Sequence, residues 1–120
     1  MNFPAQMLGS NAVLEEVISR QESRLATMAR DLEPLRWAET QKDLGSALQT
    51  LGERESGTVR LEEALAAYQS ALQEYTRERT ALQWAETQNN LGNVLAALGA
   101  RESGTARLEE AMAAYRNAVQ

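Results

Sequence analysis

Residues 52–58 read GERESGT and residues 99–105 read GARESGT, 47 positions apart. The first copy has the two glycines of a phosphate-binding loop, G-x-x-x-x-G-K-[ST]. However, Thr58 follows Gly57 directly, and the lysine is missing. Glu53 and Glu55 stand where phosphates would lie. Such a loop also needs a strand before it and a helix after it. The flanking sequence explains the stretch differently. WAETQ occurs at 37–41 and again at 84–88, with the same offset of 47. Pairing 37–73 with 84–120 gives 25 identities in 37 positions. A duplication of this extent outranks a short motif. The glycine stretch therefore reads as punctuation, once per full unit, and not as a nucleotide site.

A diverged third copy precedes these two. LEEVISRQESRLATMARDLEPLRW, residues 14–37, aligns at the same offset with LEEALAAYQSALQEYTRERTALQW, residues 61–84. It holds only the second half of the unit. The expected organisation is an irregular or disordered stretch over 1–10, a single-helix half unit over 11–33, one repeat over 34–80, and a second over 81–120. The second repeat lacks the end of its last helix.

Each full unit contains two helical patterns. The first runs from about Pro34 to Leu51, with Trp37, Leu44, Leu48 and Leu51 on one stripe and Ala38, Gly45 and Ala47 beside it. Pro34 suits a first helical position, where its missing N–H costs nothing. Gly52 suits the left-handed residue that ends a helix. The second pattern starts near Thr58, a hydroxyl cap. Leu61, Ala64, Leu65, Tyr68, Ala71, Leu72 and Tyr75 follow at i, i+3, i+4 spacing. The helix is expected to continue through Glu74–Arg79 as an extension. Unit two repeats both patterns with Trp84, Leu91, Leu95 and Leu98, then Leu108, Ala111, Met112, Tyr115, Ala118 and Val119. The half unit supplies Val13, Leu14, Val17, Ile18, Leu25 and Met28, with Asn11 as its expected cap. The expectation is an all-α chain of about five helices, with no strand.

Composition narrows the chemistry. Apolar residues form 43% of the 120-residue chain, but aromatic residues only 5%. Ala and Leu dominate, which favours helices over strands. The chain has no Cys and no His. A thiolate metal site, a disulfide and the commonest general base are thereby excluded. The adjacent carboxylates Glu62/Glu63 and Glu109/Glu110 point in different directions on a helix and do not form a catalytic pair. An enzyme and a cofactor are not expected. The net charge of −5 repels phosphate backbones, so nucleic acid is not an expected partner. No apolar run is long enough to span a membrane, and Met1–Ser10 lacks a signal-peptide pattern. A soluble, cytoplasmic protein is the expectation.

Leu44-Gly45 and Leu91-Gly92 in the first helices, with Ala64, Tyr68 and Ala71 and then Ala111, Tyr115 and Ala118 in the second, carry a family resemblance. The chain resembles the tetratricopeptide repeat over nearly all of 34–120, and over 11–33 as a half unit. The resemblance implies antiparallel helix pairs stacked as an α-solenoid. It also implies close approach of paired helices at the Leu-Gly position. The departure is length: the usual period is about 34 residues, against 47 here. The surplus lies in the E-R-E-S-G loop and between Ala71 and Leu91. In this respect the unit is similar to elongated tetratricopeptide variants.

The resemblance also implies a concave face built from the first helices. It nominates Glu39, Lys42, Ser46, Gln49 and Thr50 in unit one, and Glu86, Asn89, Asn93, Ala96 and Ala97 in unit two. Amide side chains there can bond an extended backbone, and Lys42 can meet a carboxylate. Lys42, Asn89 and Asn93 together could imitate the clamp by which some family members hold a terminal carboxylate. The bland alternative is a solvated helix surface. Trp37 and Trp84 read as packing residues rather than ligand platforms, and the RESG runs as local ion pairs. The last unit has no covering helix, so Leu95, Leu98, Met112 and Val119 are expected on an open face. Either further repeats of a longer array or a second chain would cover them, and self-association, with a homodimer favoured, is the expectation. The sequence thus points to a protein- or peptide-binding scaffold; the rival is a structural spacer with no ligand of its own.

Overall fold

The computed structural model describes residues 10–102 and 104–120. It contains five helices: α1 (Asn11–Thr27), α2 (Pro34–Arg54), α3 (Val59–Ala71), α4 (Ala81–Arg101) and α5 (Ala106–Ala118). Among the described residues there is no strand, so the chain is all-α as expected. The expectation for 1–10 lies, except for Ser10, outside the described residues. Each helix packs on its neighbour in sequence, and α2 also meets α4. The whole is a slab of 49 × 41 × 21 Å. Its thickness is about two helix diameters.

Two glycines fix how α2 meets α3. A Cβ on Gly45 would lie 2.7 Å from Tyr68 Cε1, and one on Gly52 would lie 2.9 Å from Leu61 Cδ2. The contacts pair 45 with 68 and 52 with 61, a register in which one helix runs against the other. Gly92 with Tyr115 and Gly99 with Leu108 repeat this in α4 and α5. The glycines are therefore contact surfaces, which corrects the reading of Gly52 as a left-handed helix end. Gly52 is buried inside α2, which continues to Arg54. Among the described residues only Gly104 has a positive φ, of 108°. Absence of a side chain, rather than conformational freedom, is what the packing uses at Gly52.

The core follows the expected stripes. Leu44, Leu48, Leu51, Leu61, Leu65, Tyr68, Val94, Leu95 and Leu98 are buried in one cluster, with Ile18 from α1. Each such leucine contributes roughly 1.5–3 kcal/mol by leaving water. Leu95 and Leu98 are 3% and 0% exposed. They are core residues, which corrects their placement on an open face. They pack inward because α4 has α3 on one side and α5 on the other. Met112 and Val119 are exposed as expected.

Helix ends depart from the sequence reading in three places. Ser10, not Asn11, caps α1: its Oγ accepts from Val13 N at 3.3 Å. Thr58 occupies the cap position of α3, but its side chain makes no capping bond. The third departure is the end of α3, which stops at Ala71 instead of running past Tyr75. Tight turn bonds, Glu74 N and Tyr75 N to Ala71 O, end it. Tyr75 then turns back into a second small cluster with Ala38 and Ala71, against which Trp37 and Trp84 pack. Both tryptophans are packing residues there. Arg30 crosses the same region. Its guanidinium lies 4.1 Å from the Trp37 ring centroid, and its Nε donates to Glu74 Oε2 at 2.7 Å.

Candidate functional site

α2 and α4 present the residues nominated for partner binding. Lys42 on α2 lies 3.7 Å from Glu86 on α4, so residues of both units share one surface. Glu39 and Asn89 are exposed on it. Ser46 and Gln49 face the buried Tyr68, whose hydroxyl lies 3.2 Å from Ser46 Oγ and donates to Gln49 Oε1 at 2.8 Å. Asn93 takes the same role in the next unit, accepting from Tyr115 at 2.5 Å. Thr50 is turned into its own helix, donating to Ser46 O at 3.0 Å. Ala96 and Ala97 are half-buried against the core and offer little to a ligand.

The arrangement changes the chemistry expected of Lys42. Glu86 faces its ammonium, and Asp43 stands beside it. Burial pushes the Asp43 carboxyl above its usual range and Glu39 adds to the push, while Lys42 and Arg24 oppose it. The Tyr75 hydroxyl is pushed up to about 12 by burial, then by Glu39, Asp43 and Glu86. These three carboxylates therefore bear on one buried ring, against one lysine. With Lys42 facing Glu86 and Asn93 accepting from Tyr115, the surface is poorly arranged to clamp a terminal carboxylate.

Asp43, Tyr75 and Arg24 were missed as members of this surface. Asp43 could have been found, since it lies four residues from Glu39 on one helix face. Tyr75 could not, because the extended helix assigned to it put it on a different element. A cleft of about 570 Å³ adjoins the surface where α1 ends and α2 begins, lined by Arg24, Thr27, Arg36 and Glu39 among others. Arg36 is paired with Glu33 at 3.1 Å.

Elsewhere several charged side chains are in pairs. Glu62 takes Arg107 at 3.1 Å, and Glu63 takes Arg60 at 3.1 Å. Among the described residues no group of three acidic side chains is placed to hold a metal ion. No helix among them is long and apolar enough to cross a membrane.

Comparison of the chain with protein-family models, with curated proteins and with solved structures finds no significant match.

Proposed function

We propose that the chain is a tetratricopeptide-like helical-repeat scaffold. On this reading it binds a protein or peptide partner on the face shared by α2 and α4. It also self-associates through Met112 and Val119. The observation that carries the reading is the Lys42–Glu86 contact, which joins the first helices of two duplicated units into one surface. On that surface three carboxylates, Glu39, Asp43 and Glu86, outnumber two cations, Lys42 and Arg24. Charge complementarity then selects an extended segment carrying Arg or Lys, not the acidic tail that Lys42 alone suggested. Asn89 supplies an exposed amide for the peptide backbone.

Panning a random peptide library on the full chain tests this. The expected result is a set of basic peptides whose affinity falls about tenfold for Glu39→Gln with Glu86→Gln, each lost charge contact removing about 0.5–1 kcal/mol. Selection of acidic peptides, or of peptides indifferent to these changes, would overturn it.

One observation favours the spacer reading. Ser46, Gln49 and Asn93 already serve the two tyrosine hydroxyls. If panning retains no peptide, these residues are structural and the chain is a spacer.

A further inference from the structure

One arginine contact recurs from unit to unit at the repeat offset, and a second arginine recurs there with different partners. Arg60 at the start of α3 lies 3.6 Å from Glu15 on α1. Forty-seven residues on, Arg107 at the start of α5 lies 3.1 Å from Glu62 on α3. At the end of α2, Arg54 donates to Asn11 Oδ1 at 3.4 Å. Its counterpart at the end of α4, Arg101, reaches the last turn of α2 and the loop after it. It donates to Gly52 O at 2.9 Å, Gly57 O at 2.5 Å and Glu53 O at 3.3 Å. Carbonyls in the last turn of a helix have no partner within it. A cation there also meets the negative end of the helix dipole.

The next step of the series falls on Glu109 and on the carbonyls of Gly99, Ala100 and Gly104. Among the described residues no arginine reaches any of them; Glu109 accepts only the nearby Thr105 hydroxyl, at 3.3 Å. The apolar surface between them is uncovered as well. Leu61 and Leu65 on α3 are 0% and 6% exposed, because α3 lies between α2 and α4. Their counterparts Leu108 and Met112 on α5 are 41% and 58% exposed. The α3–α4 interface thus has a second, empty copy of its receiving half.

We propose that the end face formed by α5 and the last turn of α4 receives one further helix pair of this same repeat. Two arginines of that pair, standing where Arg101 and Arg107 stand, select it. The inference rests on the repeat reading of the fold and not on peptide binding at the α2–α4 face. A second copy of the chain can cover the apolar part but does not offer the two arginines. Its own Arg54 and Arg60 already engage Asn11 and Glu15.

The test appends a copy of residues 74–120 after Gln120 and follows urea unfolding of the extended and the 120-residue chains. The extended chain is expected to unfold in one transition at a higher midpoint. Glu109→Gln is expected to lower that midpoint by roughly 0.3 M more than it lowers that of the 120-residue chain, as one half-exposed ion pair implies; in the shorter chain it removes only the Thr105 contact and a first-turn charge. Alanine at the appended counterpart of Arg107 should abolish that excess. Alanine at the counterpart of Arg101 should give a larger drop. If the appended unit docks but Glu109→Gln acts equally in both chains, arginine selection is wrong while the repeat reading stands. If the appended unit unfolds separately and the first midpoint is unmoved, both are wrong.

Discussion

A methyl group added at Gly45 would lie 2.7 Å from Tyr68 Cε1 and 2.8 Å from Cδ1. Tyr68 is 0% exposed, so the ring has nowhere to move. Alanine is the better helix former by about 1 kcal/mol. Overpacking of a closed site costs about 1–3 kcal/mol, so Gly45→Ala should destabilise the chain on balance. At Gly92 the same methyl would lie 2.6 Å from Tyr115 Cε1, but Tyr115 is only half-buried and its ring can tilt outward. Gly92→Ala should therefore lower the urea midpoint less than Gly45→Ala; the reverse order would show that the α4–α5 contact is the tighter one. Tyr68 makes a second prediction. Its pKa is pushed up to about 12, chiefly by burial, from an ordinary value of 10.0. A folded pKa above the unfolded one means that the neutral ring stabilises the fold fully below pH 10. That contribution is lost as pH rises toward 12, and two pKa units correspond to roughly 2–3 kcal/mol. Unfolding followed between pH 9 and 12 should show this decline, and Tyr68→Phe should reduce it, leaving the part that Tyr75 supplies.

At the scale of single helices, α1 is the weakest copy of its type. Gln21 stands 47 residues before Tyr68 and, like it, is buried. Its Oε1 has no hydrogen-bond partner among the described residues. A buried unpaired acceptor costs about 1–3 kcal/mol, so Gln21→Leu should raise the urea midpoint. A lower midpoint would mean that the amide does find a partner. The helices themselves were legible in the sequence because their apolar stripes recur twice in register, and the paired copies check each other. Boundaries were less legible. Ser10 competed with Asn11 as a cap, and nothing in the sequence around Ala71 forbids another helical turn. The turn there is decided by Tyr75 entering the cluster with Ala38 and Ala71, a contact between residues far apart in the chain. The α2–α4 surface was legible by residue but not by charge, since the facing of Lys42 and Glu86 is set by helix packing. The buried state of Leu95 and Leu98 was hidden for the same reason. Their stripe is apolar, but which neighbour covers it depends on how α4 sits between α3 and α5.

At the scale of the whole chain, the slab has an interior built by four successive helix contacts, and its last helix, α5, packs on α4 and reaches α3 through Arg107. Its outer side carries Leu108, Met112 and Val119, with Val119 85% exposed. Glu109 and Arg116 flank Met112 at three and four residues. Two copies of α5 laid antiparallel would bring Met112 against its counterpart and set each Glu109 near the other copy's Arg116. An isologous contact of this kind closes at two chains. It buries few large side chains, so it should be weak and concentration-dependent. Light scattering over about a hundredfold range of concentration should therefore show the mass rising from one chain to two. Met112→Glu places two carboxylates at the centre and should hold the mass at one chain throughout. Glu109→Arg alone should also weaken pairing, and adding Arg116→Glu should restore it, because both partners of each cross-chain pair are then exchanged. A dimer indifferent to Met112→Glu would place the contact on another surface. Growth beyond two chains would mean that one end of the molecule meets the other instead of its own copy.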